Sequence, residues 1–387
     1  MSGVPDPERL ARAALTYLAE PGDKVAGAWL RTCGAESVVA AVRTGGLPAR
    51  VEARLRAEGE GDTSTAKAMR SWRARVSEIP AERDLAAAEQ AGIRLVCPGD
   101  PEWPTQLGVL GDGQPYALWL RGSADLRHSC LRSVSIVGSR AATAYGAHVS
   151  AELGAGLAGR GWAVVSGGAY GIDGAAHRGA LAADGLTMAV LACGVDDPYP
   201  RGHGGLFDAI VGQGVLVSEW PPGRHPTRCR FLVRNRVIAA LSRGTVVVEA
   251  HHRSGALSTA RYARDLCRPL MAVPGPVTSQ ASDGCHWIMR EWGAVCVTRT
   301  TEILEQVAMV GEHLAPRRPV VAPAELDPVT TRVLEAVPAR GGAGTATVAV
   351  SAGVDLDTTL SRLGMLAAGG FVMRGPRGWR LAGASGA

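Results

Sequence analysis

Between residues 93 and 298 the chain repeats one unit: a short apolar run, then enough residues for a helix, then another apolar run. The runs are "IRLVC" (93–97), "ALWLRG" (117–122), "SVSIVG" (133–138), "WAVVSG" (162–167) and "TMAVLA" (187–192). "GVLVSE" (214–219), "TVVVEA" (245–250), "PLMAVPG" (269–275) and "AVCVT" (294–298) continue the series. From the third onward they are rich in Val, Ile and Leu with little polar alternation, the pattern of strands covered on both faces. Such strands need helices above and below them. The repeat therefore predicts an α/β fold built on a doubly wound parallel sheet over 81–308.

The flanks read differently. Residues 1–80 hold short helical segments ("PERLARAALTYLAE", "KVAGAWLRTCG", "AESVVAAVRTGG") punctuated by Gly and Pro, a helical (SAM-like) module. Four prolines in "HLAPRRPVVAPAELDP" mark a stiff linker, placed at 309–326. Residues 327–387 contain three more short helical segments and then "FVMRGPRGWRLAG", a hairpin turning at Gly375-Pro376. That order predicts a winged-helix-like domain. Its third helix carries Arg362 alone among cations, with Asp355 and Asp357 beside it, so protein contact or packing is expected rather than DNA-groove reading.

In a doubly wound sheet, ligands bind beyond the carboxyl ends of the strands. There the chain places Gly138-Ser139-Arg140, Ser166-Gly167-Gly168 and Ser254-Gly255. Each group leads into a helical segment. Small residues let backbone N–H groups approach an anion, and a helix N-terminus adds partial positive charge. Between 221 and 270 there are ten arginines against two acids, Glu249 and Asp265, whereas the whole chain is only +5. This clustering is a phosphate-binding footprint.

Within it, Arg234, Asn235 and Arg236 read as the opening of a helix, with Asn235 as its cap and two forked guanidiniums suited to phosphate or carboxylate. Phe231 either stacks on a base or belongs to the core, and Tyr145, Tyr170, Tyr199 and Trp220 are further stacking candidates. Asp173 and His177, four apart, form either a hydrogen-bonded dyad or a helix cap and a loop brace. Glu219 and Glu249 sit among arginines, which would lower a carboxylate pKa. They are expected to orient Arg234, Arg236 or Arg253 rather than to catalyse.

Other chemistries fit poorly. "GSRAATAYG" lacks the second and third glycines of a dinucleotide fingerprint, and no Walker lysine exists, the two lysines being Lys24 and Lys67. The eight cysteines include no C-x-x-C, so core thiols are expected, and neither a metal nor a cofactor. No apolar run reaches the ~18 residues of a membrane span. The acids and prolines of "MSGVPDPERLARAAL" interrupt what a signal peptide would need, so a cytosolic protein without membrane contact is expected.

"GSR" (138–140), "SGGAYGIDGAAHRGAL" (166–181), "YP" (199–200), "SE" (218–219), "RNR" (234–236), "VEA" (248–250), "SGALSTA" (254–260) and "VPG" (273–275) occur in an order that resembles the DprA/Smf family. The resemblance is close over about 133–300 and looser in the flanks. It implies an extended Rossmann fold and a homodimer that binds single-stranded DNA, protects it and loads the RecA recombinase in recombination and natural transformation. It further implies that Ser139 and Arg140 contact DNA phosphates, and that Ser166, Gly167, Gly168, Arg234, Asn235, Arg236, Ser254 and Gly255 shape the same pocket. Departures are Leu232, where many relatives have Pro, and His286, where Asn is common. The pocket lysine of some relatives has no counterpart here, both lysines lying in the N-terminal module, and one of Arg224, Arg228 or Arg230 is the candidate substitute. A rival resemblance is to nucleoside-monophosphate phosphoribohydrolases, whose P-G-G-x-G-T-x-x-E loop is not matched by "EAHHRSGALSTA".

Overall fold

The structure, a computed structural model, describes residues 6–46, 53, 57, 62–76, 79–309, 326–339 and 341–382. One compact unit comprises the described residues up to 309, and a second those from 326 onward. The linker expected at 309–326 lies almost wholly outside the described residues.

The first unit opens with α1 (Pro7–Leu18), α2 (Lys24–Thr44), α3 (Asp62–Val76) and α4 (Ala81–Gln90). Then follow β1 (Ile93–Val96), β2 (Leu118–Arg121), α5 (Leu126–Leu131), β3 (Ser133–Val137), α6 (Ala144–Ala158), β4 (Ala163–Ser166) and α7 (Ile172–Ala182). β5 (Thr187–Val190), α8 (Gly204–Gln213), β6 (Val215–Ser218), α9 (Arg228–Leu241), β7 (Thr245–Val247) and α10 (Ala256–Asp265) come next. β8 (Leu270–Ala272), α11 (Asp283–Trp292), β9 (Val295–Cys296) and α12 (Thr300–Val307) complete it.

All nine apolar runs are strands of one sheet, ordered β1-β2-β6-β5-β4-β3-β7-β8-β9. β3 to β9 are mutually parallel. β2 runs antiparallel to both β6 and β1, extending the sheet on one side. The strand order reverses between β3 and β7, where Ile136 lies opposite Val246. That reversal opens a crevice at the carboxyl end, where doubly wound folds bind ligands.

β3 is buried along its whole length, and each fully buried Val or Ile side chain contributes about 1.5–3 kcal/mol. Of its two serines, Ser135 Oγ donates to Ile238 O of α9 at 3.0 Å, whereas Ser133 Oγ donates to Cys130 O at 3.0 Å, with Leu241 O of α9 farther off at 3.4 Å. The helix that carries the arginine cluster is thereby tied to the strand before the Gly138 loop. α1 and α2 share a core with the other end of the sheet, Trp29 and Leu15 packing in the cluster that holds Trp119 and Leu216. Asp23 caps α2, accepting from Val25 N at 2.9 Å.

The second unit has α13 (Pro328–Glu335), α14 (Thr345–Ala352), α15 (Leu356–Ala368) and a hairpin of β10 (Val372–Gly375) and β11 (Gly378–Leu381). Val333, Val348, Leu363, Leu366 and Trp379 form its core. Asp327 and Asp355 cap α13 and α15, and Arg362 reaches Asp327 at 3.4 Å. No described helix is long and apolar enough to cross a membrane.

Candidate functional site

A cavity of about 910 Å³ lies in the crevice between β3 and β7. Gly138, Ser139 and Arg140 form one wall, α9 a second, and the loop from His251 to Gly255 a third.

The first wall needs its glycine: a Cβ on Gly138 would lie 2.5 Å from Ile172 and 2.8 Å from the Glu249 carbonyl. Ser139 N donates to Glu249 O at 2.7 Å, and Ser139 Oγ accepts from Ala141 N at 3.2 Å. Glu249 takes both Thr143 N, at 2.9 Å, and Thr143 Oγ1, at 2.5 Å, fixing the start of α6. Glu249 is therefore not the partner of an arginine. Its carboxylate serves the loop instead, because the Thr143 N–H at the helix start has no intrahelical acceptor.

Arg234, Asn235 and Arg236 do not open a helix. α9 starts at Arg228, with Thr227 in extended conformation accepting from Arg230 N, so the triplet sits almost two turns in. Asn235 is no cap; its Nδ2 donates to Gly255 O at 3.1 Å and holds the third wall in place. At 100° per residue, Arg234 and Arg236 point to opposite sides of α9. Arg234 faces the cavity. Arg236 faces away, donating to both Glu219 oxygens at 2.6 Å, to Gly113 O at 2.9 Å and to Val233 O at 3.0 Å. Burial would lower the Arg236 pKa, but Glu219 outweighs it and holds the guanidinium above its ordinary value.

Arg234 is 4% exposed, and its Nε and Nη1 have no hydrogen-bond partner among the described residues. Burial pushes its pKa down to about 10, Arg140 adding to the effect and Asp173 opposing it. Asp173 is also buried and raised by that burial, with Arg234 and the N–H of Gly167 at 3.1 Å pulling it back. Of the two arrangements open to Asp173 and His177, the hydrogen-bonded dyad is not made. His177 Nδ1 bonds Thr187 Oγ1 at 2.7 Å, bracing β5.

Phe231 is half-buried on the cavity wall, between the core and open solvent. The Arg140 Cζ lies 4.5 Å from its ring centroid and Arg234 Cζ 5.9 Å, while Tyr199 meets it edge to face at 6.0 Å. Of the other stacking candidates, Tyr170 is exposed against His203 and Tyr145 is exposed with its hydroxyl on Pro274 O. Trp220 is buried, donating to Glu20 at 3.2 Å, and is structural.

Ser166, Gly167, Gly168 and Arg236 do not line the cavity. Ser166 Oγ donates to Ile136 O at 2.6 Å, and a Cβ on Gly168 would lie 2.7 Å from Phe207. Gly167 acts from below: a Cβ there would fall 1.7 Å from Arg234 Nη1, so its bareness makes room for the guanidinium. Among the three candidate replacements for the pocket lysine, Arg228 lines the cavity, whereas Arg230 pairs with Glu20 at 2.8 Å and Arg224 lies over Tyr17. His251, also in the wall, was not singled out from sequence. Adjacent histidines carry no spacing signal of their own.

A mostly parallel sheet with a switch-point cavity walled by Arg140, Arg234 and Phe231 defines a doubly wound α/β protein. The model of the family described as DNA recombination-mediator protein A matches residues 94–308. A Mycobacterium tuberculosis chain that carries the name DNA processing protein DprA is 42% identical over 387 residues, covering 97% of this chain and 95% of that one. Two solved structures are similar as well. DNA processing protein A of Streptococcus pneumoniae matches with a TM-score of 0.56 and 34% identity over 62% of this chain and 83% of its own. DNA processing protein A of Helicobacter pylori, whose structure describes a single-stranded DNA binding mode, matches with a TM-score of 0.50 and 28% identity, over 55% of this chain and 94% of its own. The chain belongs to the DprA/Smf family of DNA processing proteins.

Proposed function

We propose that this chain binds single-stranded DNA in the switch-point cavity, protects the strand and loads RecA onto it during recombination and natural transformation. The observation that carries the reading is Arg234: a buried guanidinium with two N–H-bearing nitrogens unspent, below a wall that offers Arg140, Arg228 and the Phe231 ring. Leaving a charge buried and unpaired is costly, and a phosphate entering the cavity would relieve that cost. Phe231 offers a π-face to a base of any identity, which suits a strand read without sequence preference. The family relationship supports the same reading, as does the single-strand binding described for the Helicobacter pylori protein. A homodimer is part of the proposal, and so is a winged-helix-like second unit that contacts protein, since Arg362 of α15 is engaged with Asp327.

A phosphoribohydrolase is the less favoured reading. Of the described residues lining the cavity, only Asp173 carries a carboxylate, and it faces Arg234 and the Gly167 N–H rather than a water-activating partner. Fluorescence anisotropy of labelled single-stranded and duplex oligonucleotides over a salt series tests the proposal. Preferential single-strand binding with a steep salt slope, lost in Arg140→Ala, is the expected result. Release of free base from a nucleoside monophosphate, without oligonucleotide binding, would overturn it.

A further inference from the structure

The helix that walls the cavity starts against its own electrostatics. Arg228 and Arg230 occupy the first turn of α9, where the helix dipole is positive, and that turn contains no acid. The cap bond from Arg230 N to Thr227 Oγ1 is long, at 3.4 Å. Packing gives little help: residues 227–233 are exposed or half-buried, and continuous burial begins only at Arg234. Yet this turn carries Arg228 and Phe231 of the cavity wall. The missing negative charge comes from Glu20, in the turn between α1 and α2, 210 residues away in sequence. Its carboxylate accepts from Arg230 Nη2 at 2.8 Å and Nε at 3.3 Å, and from Trp220 Nε1 at 3.2 Å. Arg230 Nη1 donates to His225 O at 2.7 Å, so one guanidinium joins Glu20 to the segment that leads into α9. Burial would raise the Glu20 carboxyl, but Arg230 and Trp220 outweigh it and hold it below its ordinary range. Glu20 is itself well anchored, its carbonyl accepting from the buried Tyr116 hydroxyl at 3.1 Å and from Asp23 N at 3.2 Å. Glu20 is not among the described residues lining the cavity. At 100° per residue, Arg230 points to a different side of α9 from Arg228, so Glu20 meets the helix from behind the wall.

We propose that Glu20 is a positioning residue for the strand site: from the N-terminal module it supplies the charge that the first turn of α9 lacks, and so holds Arg228 and Phe231 at the cavity wall. The inference rests on the single-strand reading above. Tethering the module to the sheet would be a different role, but α1 and α2 already share a core with the sheet through Leu15, Trp29, Trp119 and Leu216. A partly solvated ion pair adds little to such a core. Its effect is local, on a helix turn that little else holds.

The test measures binding of a labelled oligothymidylate by fluorescence anisotropy, together with amide hydrogen exchange along α9. Taking an acid away from a nucleic-acid-binding protein ordinarily strengthens binding, because it removes repulsion of the phosphates. Glu20→Gln is expected to do the reverse and weaken binding about fivefold. Glu36→Gln, which removes an exposed acid of α2, should not weaken it. Arg230→Gln should weaken binding about as much as Glu20→Gln, and the double variant no further, because both act through one contact. In Glu20→Gln the amides of residues 231–234 should exchange faster, while those of α6 keep their wild-type rates. An affinity of Glu20→Gln equal to or above that of wild type overturns the proposal, and so does unchanged exchange at 231–234. Additive losses in the two single variants overturn it as well. If wild type binds no oligothymidylate, the single-strand reading itself falls, whatever the exchange rates are.

Discussion

Arg236 and Glu219 form a buried two-pronged ion pair, each Nη of the arginine 2.6 Å from a different carboxylate oxygen and both side chains at most 6% exposed. Removing one partner would strand the other charge inside the protein, which costs about 3–5 kcal/mol. Glu219→Ala and Arg236→Ala should therefore lower the unfolding free energy by that order in denaturant titrations. Arg236→Ala variants that fold normally but lose DNA would show that Arg236 is a ligand contact instead.

Arg234, two residues earlier, should behave in the opposite way. Its Nε and Nη1 hold no hydrogen-bond partner among the described residues, so the folded protein gains little from the charge. Arg234→Met should leave stability within about 1–2 kcal/mol of wild type, because it removes an unpaired buried cation but also the counter-charge of Asp173. Strand affinity should fall about tenfold to a hundredfold, the worth of a charge-assisted hydrogen bond or two. Anisotropy and denaturant titrations on one preparation separate the two effects, and a strand affinity equal to wild type would remove Arg234 from the site.

The contrast explains which parts of the molecule were legible in its sequence. The nine strands stood out because burial on both faces demands unbroken apolar runs, as in "SVSIV", where the two serines still find backbone carbonyl acceptors. The antiparallel placement of β2 was not legible, since three buried residues and a half-buried arginine say nothing about direction. Arg234 and Arg236 were both legible as functional cations, yet only one faces the cavity. Starting α9 at Arg234 rather than after Thr227 hid the fact that residues two apart on a helix diverge. Glu249 binds Thr143, more than a hundred residues away in sequence, and no local pattern announces such a contact.

Gly167 provides a test of positioning. A methyl group there would sit 1.7 Å from Arg234 Nη1, and in a buried setting the guanidinium has little room to retreat. Gly167→Ala should weaken strand binding about as much as Arg234→Met does. In the Arg234→Met background the same change should cost almost nothing, because residues that act through one contact are not additive. Additive losses in this double-mutant cycle would mean that Gly167 meets DNA directly.

His177 predicts how stability responds to acid. Thr187 Oγ1 donates its proton to Val164 O at 3.0 Å, so it must accept from His177, which places the imidazole proton on Nδ1. Nε2 is then a bare acceptor, with no partner among the described residues. Burial pushes the pKa down to about 3, with His203 and Arg178 adding to it. The folded state thus refuses a proton that the unfolded chain accepts from about pH 6.5 downward. Stability is unaffected above that value and falls as pH drops from about 6.5 towards 3, with this residue contributing about 1.4 kcal/mol per pH unit. His177→Asn keeps a donor near Thr187 and removes the titrating group, so its unfolding free energy should decline less steeply over that window. Denaturant titrations of both proteins from neutral to mildly acidic pH measure the difference in slope. Identical slopes would mean that the buried ring takes up its proton in the folded state.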